Sequence, residues 1–115
     1  MAGRRNQDDR VTEQRQTSEQ AEPGDATHPV VVLELYGSLR VRTGCEALRL
    51  HADTIATAVA VLKGVYPQAA RLLPEAAQLG EHYRFSINGR AVTNDPASLL
   101  RSGDRVVLFS ASVGG

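Results

Sequence analysis

One cysteine, one lysine and no apolar run of membrane-spanning length set the outer limits of this 115-residue sequence. The single thiol, Cys45, excludes a disulfide within the chain and an iron–sulfur cluster held by four cysteines. It fits a reducing, cytoplasmic setting. Thirteen basic residues balance thirteen acidic ones, so formal net charge is zero, and no broad attraction to nucleic acid or to a membrane surface is expected. Arg4, Arg5 and Arg10 are not followed by an apolar stretch, so no secretory signal is expected either. Groups with chemistry are scarce as well. His28, His51 and His82 are far apart and lack ligand spacing, so no metal site is expected. There is no glycine-rich phosphate loop. Ser86, Ser98, Ser110 and Ser112 suggest no Ser-His-Asp arrangement. Cys45 precedes a strand with no argued histidine neighbour and reads as a lone, partly buried thiol. Catalysis by this chain alone is not expected.

What is present divides in two near His28-Pro29. Residues 1–29 hold five members of the hydrophobic set against ten charged residues. Such a stretch buries too little apolar surface to offset chain entropy and reads as a disordered charged extension. Residues 30–115 read as one small domain with nine basic and seven acidic side chains.

Within that domain Val30 to Tyr36 (VVVLELY) has strand character, with Val31, Leu33 and Leu35 facing the core on a two-residue period. Gly37 to Gly44 reads as a turn region with exposed arginines. Ala47 to His51 alternates and pairs back as a hairpin partner. Asp53 or Thr54 caps a helix whose inner face carries Ile55, Ala58, Val59, Leu62 and Val65, and which Pro67 ends. Ala69 to Leu73 forms a short second helix, and Glu75 to Glu81 a loop. Tyr83 to Ile87 is a strand that returns through Asn88-Gly89 over Arg90 to Thr93. Leu99 and Leu100 plug the core before the last strand, Arg105 to Phe109 or Ser110. The first and last strands are the most apolar, which places them in the middle of a sheet. The expected architecture is α+β: a mixed sheet of four to five strands on one main helix.

After the last strand come Ser-Ala-Ser-Val and then Gly114-Gly115. Glycine orders less readily than any other residue, so a Gly-Gly end does not serve to hold a fold together. Either it does nothing or it enters something else. Residues 30–115 resemble the ubiquitin-like β-grasp sulfur carriers, most of all the small subunit of molybdopterin synthase, with the thiamine-pathway sulfur carrier as a relative. The matching pieces are VVVLELYGSLRVRTG, TIATAVAVLKGVYP, FSINGRAV, LLRSGDRVVLF and the closing Gly-Gly. Where members often carry proline before the diglycine, this chain has Ser110-Ala111-Ser112-Val113.

The resemblance implies a non-catalytic carrier or subunit with no bound cofactor. A ubiquitin-activating-type adenylating enzyme spends ATP on the Gly115 carboxylate, and a sulfur donor then converts the acyl-adenylate to a thiocarboxylate. A larger synthase subunit supplies the active site that consumes the sulfur. Gly115 is the reacting residue and Gly114 the slender guide. Partner contacts fall to Phe109, Val107, Val113 and Arg105. The strand period adds Val32 and Tyr36 to the face shared by Val107 and Phe109. Arg40, Arg42, Arg101 and Arg105 are a further candidate set for an acidic partner. Other sulfur pathways (thiamine, cysteine, tRNA thiolation), a ubiquitin-like protein modifier and an inert tail remain the alternatives.

Overall fold

The computed structural model describes residues 22–111. Val113, Gly114 and Gly115 lie outside the described residues, as does most of the charged extension. The elements are β1 (Val30–Leu35), α1 (Ser38–Thr43), β2 (Ala47–His51), α2 (Ile55–Val65), α3 (Pro67–Leu72), α4 (Ala76–His82), β3 (Tyr83–Ile87), β4 (Ala91–Thr93) and β5 (Arg105–Ser110).

Five strands form one mixed sheet in the order β2-β1-β5-β3-β4. β1 and β5 run parallel side by side, Leu33 opposite Val106 and Leu35 opposite Leu108. β1 also pairs antiparallel with β2, and β5 antiparallel with β3. The two most apolar strands therefore sit inside the sheet, as their composition requires. Val31, Leu33, Leu35, Val106, Leu108 and Phe85 are fully buried on one face. Onto that face α2 lays Ile55, Ala58, Val59 and Leu62. Thr54 caps α2, its side chain accepting from the Thr57 amide at 3.1 Å. Val65, expected on the inner face, is 41% exposed because the last turn of α2 runs past the core.

Asn88 and Gly89 turn β3 into β4 with φ of 56° and 69°, the left-handed pair that the dipeptide permits. The Asn88 side chain donates to Asp104 Oδ1 and accepts from the Arg105 amide, each at 2.9 Å, so this turn is pinned to the start of β5.

Three further readings are corrected. Gly37–Gly44 is not a plain turn region: Ser38–Thr43 is helical, entered from Gly37 and closed by Gly44 in the left-handed region. Its anchor is one side chain, Leu39. Glu75–Glu81 is not a loop: Ala76–His82 is helical, held by Leu79, which is fully buried. Leu99 is 78% exposed, because the bridge between Leu99 and Thr54 turns its side chain outward while Leu100 takes the core position.

Residues 22–29, placed by composition in the extension, lie against the outer edge of β2. The His51 amide donates to Pro23 O at 2.8 Å on that outer edge, while the Ala52 amide donates to Pro29 O at 2.9 Å on the opposite side, one pair beyond Val30 and His51 in the β1–β2 ladder. Gly24 passes so close to the His51 carbonyl that no Cβ would fit there.

Candidate functional site

The two-residue period of β5 sends Val106 and Leu108 under the helices and Arg105, Val107 and Phe109 to the open face. The register brings neighbours to them. Glu34 and Ser86 flank Val107, and Arg84 lies beside Phe109. Val32 is on the same face of β1, and Tyr36 follows that strand, 52% exposed. The apolar patch expected from sequence is thus assembled, with Val107 and Phe109 half-buried within it. Val92 extends it: it pairs with Ser86 and is 66% exposed. The hairpin register around Asn88-Gly89 is the signal that would have found Val92.

Arg105 shares the open face and forms an ion pair with Glu34. It stands at the first residue of β5, with Phe109 near the other end of the strand. The four candidate arginines do not form one cluster. Arg40 pairs with Glu46 at 2.8 Å beyond the end of β1, while Arg101 sits in the turn that precedes β5. The strand separates the two groups.

At the far end of β5 the chain leaves the sheet. The Ala111 amide donates to His82 O at 2.8 Å, the last described anchor of the backbone. Tyr83 is the hub of this end. A groove of about 410 Å³ lies between Tyr36, Leu39, Tyr83 and Phe109. A second, of about 370 Å³, runs past Glu81, His82, Tyr83 and Arg84 to Ser110 and Ala111. A third, of about 430 Å³, lies between Tyr83 and Leu72, Leu73 and Pro74. Burial of the Tyr83 ring pushes its phenol above the usual value of 10.0. Arg84 folds back and donates to Gly80 O and Tyr83 O at 2.8 and 2.9 Å, which fixes the junction of α4 with β3. Tyr83 was read only as a strand residue. Its place at the root of the tail depends on where α4 ends, and that helix was not legible.

No three histidine, cysteine, aspartate or glutamate side chains come together to hold a metal among the described residues, and none of their helices is long and apolar enough to cross a membrane. Cys45 is buried, its thiol within 3.4 Å of Ala47 O. The Cys45 thiol and burial together hold the Tyr66 phenol above its ordinary 10.0.

No family model matches the chain, and no curated protein matches it. Solved structures do. The crystal structure of SAMP1 from Haloferax volcanii aligns with a TM-score of 0.62 at 23% identity, over 75% of this chain and 99% of that one. The solution structure of the small archaeal modifier protein 1 from Methanosarcina acetivorans aligns at 0.63 and 20% identity, over 76% and 97%. A chain of the Amycolatopsis orientalis BexX/CysO complex aligns at 0.62 and 16% identity, over 74% and 99%. The mixed five-stranded sheet with its packed helices is the ubiquitin-like β-grasp fold.

Proposed function

We propose that this chain is a ubiquitin-like sulfur carrier, with Gly115 as the residue that bears the sulfur. The observation that carries the reading is the path of β5. An interior strand, locked on both sides, delivers the chain past an apolar patch to Ala111, four residues before Gly115. Fully extended, four residues reach roughly 13 Å, enough to enter a partner's cleft while the body stays outside. The similarity in fold to small archaeal modifier protein 1 and to the BexX/CysO complex supports the same class.

The chemistry asks little of the carrier. A carboxylate is a poor acyl electrophile because oxide would have to leave. A partner adenylating enzyme lets a Gly115 carboxylate oxygen attack the α-phosphorus of ATP, with pyrophosphate departing. A sulfur donor then displaces AMP from the acyl carbon and leaves a thiocarboxylate. Gly114 and Gly115 admit the backbone groups that grip the tail, where a Cβ would obstruct them. Fixing the tail costs about 1–2 kcal/mol per residue, which contacts of the body must offset. Phe109 and Val107, with Val113 on the tail, provide apolar contacts, and Arg105 a charged one. The destination proposed first is molybdenum-cofactor synthesis, with this chain as the small subunit of molybdopterin synthase in the cytoplasm.

Intact mass spectrometry after incubation with ATP, an adenylating enzyme and a sulfur donor tests the carrier role. The expected product gains the mass change of one oxygen replaced by sulfur, mapped to Gly115 and missing from a variant lacking that residue. An unchanged carboxylate would sink the reading. Association of the thiocarboxylated chain with a larger pterin-binding subunit tests the pathway separately. A second reading, attachment to lysines of other proteins, is favoured by the modifier proteins among the structural neighbours. Gly-Gly remnants on lysines in peptide maps would identify it.

A further inference from the structure

An activated C-terminus acylates any amine it can reach, and its own chain is the first candidate. A short flexible tether holds such an amine at about millimolar effective concentration. Resting on the reading that Gly115 is activated, the geometry points to a chain that withholds its lysine side chains from its own tail. Twelve of its thirteen basic residues are arginines, whose guanidinium groups stay protonated and non-nucleophilic. The remaining one, Lys63, is positioned so that its amine is occupied.

Lys63 lies in the last turn of α2. Its ammonium donates to Pro74 O at 2.7 Å, and its side chain is half-buried beside Glu75 and Leu79 in the groove between α2 and α4. This is the same end of the molecule as the root of the tail. Pro74 lines the groove that shares His82 and Tyr83 with the groove holding Ser110 and Ala111. The only lysine therefore lies on the side from which the tail departs, and the loop after α3 covers its nucleophile. Gly64, the next residue, is exposed, and a side chain there would meet nothing within 4 Å. One step along the helix an amine would be free. Arg71 likewise is exposed on the groove next to Tyr83. The consequence is chemical: an activated Gly115 is preserved for a nucleophile brought by a partner, and the chain does not close on itself or link to further copies through lysine.

The test needs no partner enzyme. The full chain is made with a Gly115 thioester by intein cleavage, and intact mass follows its fate at mildly alkaline pH. Self-acylation joins a lysine nitrogen to the Gly115 carbonyl carbon and expels the thiol with its proton. The resulting lactam is lighter than the hydrolysed acid by one water. Expected is hydrolysis without a Lys63-linked product in the wild type and in Lys63→Arg. The pair Lys63→Arg with Gly64→Lys, and separately Arg71→Lys, should give at least about tenfold more lysine-linked product, as expected for an unshielded tethered amine. Peptide mapping distinguishes these links from any at the chain's own N-terminal amine. A wild-type product linked at Lys63 at the rate of the displaced lysines would overturn the inference. So would the absence of product from both exposed lysines, since the shielding would then protect against nothing. Because the thioester bypasses adenylation, failure here is separate from failure of the carrier reading.

Discussion

The two ends of the described chain are fastened in opposite ways. Residues 22–28 enter along the outer edge of β2, held by the backbone bond from the His51 amide to Pro23 O and by polar side chains: Glu22 lies 3.3 Å from Arg49 and 4.0 Å from His51, and His28 lies 3.7 Å from Asp53. Residues 105–111 leave from an interior strand, whose Val106 and Leu108 are fully buried. Apolar burial is not weakened by charge screening, whereas surface ion pairs are weak and screened. The entering strap is therefore expected to open without loss of the fold, and the departing strand is not. That suits a molecule whose exit must be aimed and whose entrance need only cover a sheet edge.

The sharpest way to break this comparison is to weaken the exit strand. Leu108→Ala empties a fully buried position and should cost about 2–5 kcal/mol, read as a lower denaturant midpoint. A loss below 1 kcal/mol would mean that β5 is not the mechanical base of the tail. Next in size is Gly80→Ala. A Cβ at Gly80 would overlap the Asn94 carbonyl, and Asn94 also donates its side-chain amide to Gly80 O at 3.4 Å. Forcing α4 from this contact should cost about 1–3 kcal/mol and should disturb the grooves around Tyr83. Phe109→Ser is expected to act differently. The ring is half-buried on the open face, so thermal stability should fall far less than in Leu108→Ala, while affinity for the proposed adenylating partner should drop about tenfold or more. Equal losses of stability in the two variants would return Phe109 to the core.

Much of this arrangement was legible in the letters. VVVLELY and RVVLFS are apolar enough to be placed inside the sheet, and their two-residue period separates Val106 and Leu108 from Val107 and Phe109. The Asn88-Gly89 turn and the Thr54 cap follow from local chemistry alone. The short helix after Pro67 was legible, but two other short helices were not, for a common reason. Each is anchored by a single fully or nearly buried side chain, Leu39 in α1 and Leu79 in α4, so no apolar stripe exists to be read. In α4 the glycine that resembles a breaker is required by the approach of Asn94, a contact fourteen residues away. The strap was hidden because composition reports poor burial, and residues 22–29 are held mainly by backbone and charge. Tyr83 cannot be singled out from sequence, because its place at the root of the tail depends on α4. The tail's role rested on sequence resemblance, and the structure adds the root from which it departs.

Two pH effects sharpen the comparison at smaller amplitude. Tyr83 has a folded-state pKa raised by burial, so its contribution is full below the unfolded value of 10.0 and is lost as pH rises through the folded one. Alkaline unfolding should therefore steepen above about pH 10, and Tyr83→Phe should remove part of that loss. The part due to Tyr66, raised by the neighbouring Cys45 thiol and by burial, should remain.

At the strap the sign reverses. The Glu22 carboxyl is held below its ordinary 4.5 by a hydrogen bond from its own backbone amide and by Arg49, and Asp25 is held below 3.8 by the hydroxyl and amide of Thr27. A depressed carboxylate contributes stability above its unfolded pKa and loses it as pH falls through the folded one. Acid should thus loosen the strap as pH falls below about 4.5, before the core responds. Hydrogen exchange of the His51 amide, the donor to Pro23 O, reads this directly once corrected for intrinsic rates. Its protection should fall on acidification and in high salt, while amides of β5 such as Val106 stay protected. In Glu22→Gln, protection at His51 should already be lower at neutral pH and should change less on acidification, because Arg49 and His51 have lost the carboxylate they face. If His51 and Val106 instead lost protection together, the entrance and the exit would be one cooperative unit, and the contrast between a charged strap and a buried root would fail.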